Sequence, residues 1–102
     1  MNFEIETINK LLNSENYQER MVGEFLELTV RLQKLQEFLT QYRENKLPFT
    51  PATSYDMMHE QFVHMKNYHT ILTQRLQIEN IDIEKWASDN KDKEEVEETT
   101  EN

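Results

Sequence analysis

The sequence predicts an all-α protein, an antiparallel two-helix hairpin with a short N-terminal helix, and three observations predict it. Two apolar stripes of matched length step by fours and threes: Met21, Phe25, Leu28, Leu32, Leu35, Leu39 and Tyr42, then Tyr55, Met58, Phe62, Met65, His69, Leu72 and Leu76. That spacing returns to one side of an α-helix, whereas a strand alternates every second residue. A stretch with two prolines, Asn45 to Ser54, separates the stripes; two helices of equal length joined by a short connection fold back on one another. The chain of 102 residues holds one glycine and two prolines, too few turn-formers for a many-stranded β fold.

The first element is a short helix over residues 2–13, in which Ile5, Ile8 and Leu12 share a face. Asn13, Ser14 and Asn16 interrupt it. Asn16 followed by Glu19 fits a capping box, where a side-chain oxygen accepts from an early helix amide. The first long helix is predicted over residues 17–44, roughly 40 Å at 1.5 Å per residue. Leu47-Pro48-Phe49-Thr50-Pro51 ends it, because proline lacks an amide hydrogen and pushes the preceding residue out of α geometry. Thr53 with Asp56 offers the next cap, with Ser54 competing, and the second long helix is predicted over 54–79. Ile81, Ile83 and Trp86 either extend that helix or fold back over the end of the bundle. From Ser88 onward seven acids and two lysines stand among almost no apolar residues, a composition that cannot offset its chain entropy and is expected to be disordered. The expected layout is a short helix in 1–15, a hairpin domain in 16–87 and a disordered acidic tail in 88–102.

Charge and composition exclude several classes. The net charge is −9, and the −5 of the tail leaves thirteen acids and nine bases, or −4, in residues 1–87. No basic run or face stands out, which disfavours binding to nucleic-acid phosphates. The absence of cysteine excludes disulfides and thiolate chemistry. No apolar run approaches the ~20 residues of a spanning helix, and Met1-Asn2-Phe3-Glu4 lacks the basic start of a signal peptide; the expectation is a cytoplasmic protein with no membrane partner.

His59, His64 and His69 fall five residues apart, a step that turns about 140° on a helix, so the three do not share a face. His59-Glu60 lacks the second histidine of a zinc-protease helix. No metal or other cofactor is expected. Glu60, His64 and Tyr68 form a row at four-residue steps, but no nucleophile, oxyanion hole or Gly-rich loop accompanies it, and the chain is not expected to be an enzyme. His69 is different: it occupies a seam position, where a polar residue fixes register or oligomer state and can titrate near neutral pH.

More apolar residues are present than the seams use. Val22, Leu26 and Val30 lie at four-residue steps on another side of the first long helix. Met57, Ile71 and Ile78, with His64 between them, recur by sevens on another side of the second. Such stripes need cover: from the N-terminal helix and the Ile81–Trp86 segment, from a second copy in a four-helix bundle, or from another protein. Phe49, held between Pro48 and Pro51, either plugs the hairpin end or is presented to a partner. The candidate partner-binding residues are therefore Val22, Leu26, Val30, Phe49, Met57, His64 and Ile71. Self-association into a dimer or larger is expected, because a lone hairpin buries little surface.

The run Asn16-Tyr17-Gln18-Glu19-Arg20-Met21-Val22 resembles the opening of a family of small bacteriophage helical-hairpin proteins related to a protein of a crAss-like phage. The similarity continues through Leu32-Gln33-Lys34-Leu35-Gln36-Glu37-Phe38-Leu39. It resumes between Gln61 and Leu76, in His64-Met65-Lys66-Asn67-Tyr68 and Leu72-Thr73-Gln74-Arg75-Leu76, so that it covers about residues 16–78. It implies a phage or prophage origin, a helical hairpin and action inside a bacterial host; it carries over no catalytic residue. Accessory proteins of this size act by binding a host protein or a host signal. The first expectation is stoichiometric binding to a host protein, inhibiting a bacterial defence system. The alternative is an oligomeric sponge for a nucleotide second messenger, with Arg20, Arg31, Arg43 and Lys66 (and Arg75) as cations and Tyr42 and Tyr68 (and Tyr17) as stacking partners. A third is a purely structural coiled-coil assembly protein.

Overall fold

The computed structural model describes residues 5–84, and among them the chain forms three helices and no strand: α1 (Ile5–Leu12), α2 (Tyr17–Arg43) and α3 (Tyr55–Ile78). Phe3, Trp86 and the tail from Ser88 lie outside the described residues. Among these residues no helix is long and apolar enough to cross a membrane.

Side-chain caps decide where the helices begin. Asn16 Oδ1 accepts from the amides of Gln18 at 2.8 Å and Glu19 at 3.2 Å, which satisfies two amides that the first turn leaves without a partner. The return arm of the expected capping box is replaced by a relay through Ser14: its hydroxyl donates to Glu19 Oε1 at 2.9 Å and accepts from the Asn16 amide at 3.0 Å. At α3 the cap is Ser54, whose Oγ accepts from the Met57 amide at 3.2 Å, so Ser54 prevails over Thr53.

Both long helices end in the same way. Asn45 and Asn80 adopt left-handed backbone, with φ of 58° and 59°. At each, the last carbonyls are closed by a paired set of bonds: Asn45 N to Tyr42 O and Lys46 N to Gln41 O, then Asn80 N to Gln77 O and Ile81 N to Leu76 O. This is the Schellman arrangement, in which asparagine tolerates the conformation that glycine usually supplies. The reversal at Asn80 also settles the path beyond α3. Ile81 and Ile83 do not extend the helix but fold back against the core.

α2 and α3 pack antiparallel along the two predicted seams. Tyr42 meets Tyr55 at the turn end, with ring centroids 5.7 Å apart, and Gln18 Nε2 donates to Glu79 Oε1 at 3.2 Å at the other. Every residue of the α3 seam is buried or half-buried, and Thr73 is the only other such residue in that helix. The buried cluster comprises Ile8, Leu11, Met21, Val22, Leu26, Leu28, Leu72 and Leu76, all toward the end where α2 begins and α3 finishes.

α1 supplies the third side of that cluster. It lies across the Val22, Leu26 and Val30 stripe of α2, so Val22 and Leu26 are 1% and 4% exposed. The expectation of a free partner-binding face at these two residues is corrected: the N-terminal helix covers them. The contact is close because Gly23 carries no side chain. A Cβ there would stand 2.9 Å from Leu11 Cβ and 2.9 Å from the Leu12 backbone nitrogen. The connection between the helices is held by Arg20, whose Nη1 donates to the Ser14 carbonyl at 2.8 Å.

Gly23→Ala should therefore destabilise the protein, although alanine is the better helix former, by about 1–3 kcal/mol as expected of overpacking. Urea unfolding of this variant beside Gln33→Ala, at an exposed position of α2, checks it. Equal midpoints for the two variants would show that α1 does not rest on Gly23.

Candidate functional site

The crossing of α1 over α2 opens a cleft beyond the close contact at Gly23. Leu11 meets Gly23, and toward the start of α1 Ile5, Ile8 and Asn9 face Glu27, Val30, Arg31 and Lys34 across a hollow of about 320 Å³. Ile8 and Val30 give it apolar walls, Asn9 an amide, and Arg31 and Lys34 two cations. Arg31 Nη2 lies 2.7 Å from Glu27 Oε1 with its side chain 68% exposed. Such an exposed pair is weakly held, so the guanidinium can turn to another anion at little cost.

A second hollow, of about 260 Å³, lies at the hairpin turn between Tyr42, Asn45 and the Leu47–Pro51 loop. Phe49 stands over it, 58% exposed, yet its ring is 6.2 Å from that of Phe38. It starts a chain of ring contacts that continues through Tyr42, Tyr55, His59 and Phe62 at centroid separations of 5.7–6.4 Å. Phe49 thus both closes the hairpin end and shows a face to solvent.

The remaining candidates are spread over the surface. Val30 is half-buried in the wall of the α1–α2 cleft. Met57 and Ile71 are 65% and 54% exposed on α3. His64 lies between them, its Nε2 a loose 3.7 Å from Glu60 Oε1. Of the residues expected to hold a nucleotide, Arg31 lines the cleft. Tyr42 lines the turn hollow, whereas its neighbour Arg43 does not. Arg20 is engaged on the Ser14 carbonyl. Lys66 and Tyr68 are exposed on α3. Arg20 and Arg43 stand about 35 Å apart along one helix at 1.5 Å per residue, so the six do not line one site within a chain. The cleft instead recruits Lys34, Ile5 and Asn9, which were not among the candidates. The spacing of Arg31 and Lys34, three residues apart on one helix, was the available signal.

Of the three histidines, His69 alone is built into the seam. Its Nε2 lies 2.8 Å from Thr29 Oγ1, and that hydroxyl donates to the Phe25 carbonyl at 2.8 Å, so the threonine oxygen is left to accept from an Nε2 hydrogen. Phe25 stacks on the imidazole with centroids 4.6 Å apart. Burial lowers the His69 pKa from its usual value near 6.5, because desolvation penalises the charged form.

A family model named Sequestin matches residues 15–78, 64 of the 102 residues. The match takes in both long helices and the turn between them. No curated protein and no solved structure matches the chain.

The lowered pKa of His69 makes stability depend on pH. The unfolded chain takes up a proton here as pH falls past about 6.5, whereas the folded chain does so only at lower pH. The unfolded state binds more protons in that window, so stability present above it is lost as pH falls through it. The melting temperature should drop as pH is lowered from about 7 to about 5, and His69→Gln should flatten that part of the curve. Parallel curves for the two proteins would assign the pH dependence to other groups.

Proposed function

The chain belongs to the Sequestin family, and from that premise we propose that it works by sequestration, holding a ligand in fixed proportion without converting it. The ligand we propose is a small anionic nucleotide acting as a host signal, which makes the protein a sponge and not an enzyme. The carrying observation is the α1–α2 cleft, where Arg31 and Lys34 stand beside the apolar walls of Ile8 and Val30. Small-molecule sites are mostly apolar, with a few polar groups that fix orientation, and occupy roughly 300–1,000 Å³. A flat heterocycle suits the walls, and a phosphate suits a guanidinium and an ammonium. The family name fits a sequestering role, and the cover of Val22 and Leu26 by α1 removes part of the face on which a protein target was expected to dock. The setting that goes with this reading is a phage or prophage accessory protein in the bacterial cytoplasm, withdrawing a defence signal; the resemblance over residues 16–78 supports it.

A second reading, sequestration of a host protein, is favoured by one observation: Phe49, Met57 and Ile71 are all more than half exposed.

The two readings separate in a thermal-shift assay on the purified chain with a panel of mononucleotides, cyclic mononucleotides and cyclic dinucleotides. A ligand that binds only the folded state adds about 2.7 kcal/mol of stability at a hundred times its Kd. We expect one class of the panel to raise the melting temperature, and to be recovered chemically unchanged after heating the complex. Arg31→Glu combined with Lys34→Glu should abolish the shift. No shift across the panel, together with a host protein retained in stoichiometric amount from lysate, would replace the nucleotide by a protein target.

A further inference from the structure

α3 carries two apolar stripes where a hairpin helix needs one. The inner seam faces α2. The outer stripe recurs by sevens through Met57, His64, Ile71 and Ile78, with Gln61, Tyr68 and Arg75 at the intervening steps of four. Its apolar members are Met57, Tyr68, Ile71 and Ile78, and Gln61, His64 and Arg75 are polar; the spacing is that of a heptad of the kind that pairs helices, about 31 Å long at 1.5 Å per residue. Nothing among the described residues covers it: Met57 is 65% exposed, Ile71 54%, Ile78 78% and Tyr68 40%.

We propose that a second copy of this chain docks on this outer face of α3, antiparallel, with the two-fold axis beside Tyr68. The stripe is self-complementary about that point, as a two-fold interface requires. Antiparallel pairing sets Met57 across from Ile78, His64 across from Ile71, Gln61 across from Arg75, and Tyr68 beside its own copy. Charge selects the same direction. The acids of α3, Asp56 and Glu60, lie in its first half, whereas Arg75 lies in its last turn and Lys66 at its midpoint. Turned end to end, Glu60 of each copy meets Arg75 of the other. Side by side in the same direction, like charges would face each other, which costs free energy. In residues 85–102 the apolar residues are Trp86, Ala87 and Val96, few beside the apolar positions spread along the whole helix.

The chain has no cysteine, so single introduced cysteines report proximity directly. Full-length Tyr68→Cys and Met57→Cys are treated with a short bis-maleimide linker, and the masses are read on a denaturing gel. Tyr68→Cys should cross-link to its own copy. Met57→Cys should not, because its two copies stand about 30 Å apart in the antiparallel pair. Light scattering of the unmodified chain should give twice the mass of one chain. Glu60→Arg and Arg75→Glu should each weaken the dimer about tenfold, and the two together should restore it. A monomeric unmodified chain, cross-linking of Met57→Cys to itself, or a dimer in which Tyr68→Cys fails to cross-link would each overturn the proposal. The nucleotide reading stands or falls separately, because its cleft lies on α1 and α2 and is read by thermal shift.

Discussion

The contact of the α1 backbone with Gly23 is the constraint on which the rest of the structure depends. A glycine inside a helix costs about 1 kcal/mol relative to alanine, and α2 carries that cost about two turns after its own cap. In return Leu11 and Leu12 reach the α2 backbone, closer than any Cβ would allow. An eight-residue helix is not stable on its own, so α1 exists because this surface holds it. Its position then determines three further things: Val22 and Leu26 become core, Ile8 and Leu11 complete the buried cluster, and the start of α1 is carried past Val30 to form one wall of the cleft. The hydrogen bonds of Ser14, Asn16 and Arg20 hold the connecting residues in the path that this contact requires.

The two ends of the hairpin are consequently built on different principles. Where α1 covers α2, the core is three helices deep and aliphatic. Toward the turn, among the described residues, there is no third layer, and Leu39 is the only buried hydrophobic residue. Ring contacts take over there, in the chain from Phe49 to Phe62. Aromatic pairs at these separations contribute roughly 0.5–1.5 kcal/mol each beyond the area they bury, so a two-layer ribbon is held by directional contacts where little apolar area is available. Large side chains are also long enough to stay in touch across a seam while half exposed. This is why Phe49 serves the fold and still shows a face to solvent.

Much of this was legible in the sequence, for a physical reason. Seam residues obey the helical period, and a period survives whatever the tertiary arrangement. Asn16 was legible as a cap because its donors are two and three residues away. The left-handed turns at Asn45 and Asn80 were not read, because asparagine also occurs freely in polar surfaces, and only the paired carbonyl bonds identify its role. Gly23 was not read either. Its significance lies in Leu11 and Leu12, which no local pattern connects to it. The candidate site shares that difficulty. Arg31 is visible as a cation, but its joining with Lys34, Ile5 and Asn9 depends on the angle at which α1 crosses α2. Cations and tyrosines that look alike in the sequence stand as much as about 35 Å apart, since composition carries no distance.

The negative net charge is less opposed to an anionic ligand than it first looks. Of the −9, −5 belongs to residues 88–102. At physiological ionic strength the screening length is about 8 Å, so a carboxylate farther than that from a bound phosphate contributes little. What governs the cleft is the local set, Arg31 and Lys34 against Glu27, and that set is net positive. In the proposed nucleotide reading the Arg31–Glu27 pair positions the guanidinium, and its exposure makes the pair weak enough to be exchanged for a phosphate. The acids elsewhere then affect the rate at which an anion approaches more than the strength with which it is held. A sequestering protein acts through occupancy and not through turnover, so slow capture is tolerable provided that release is slower still. Within that logic an acidic chain with a local cationic cleft is consistent with holding a nucleotide, and it discourages the long polyanions that would compete for the same groups.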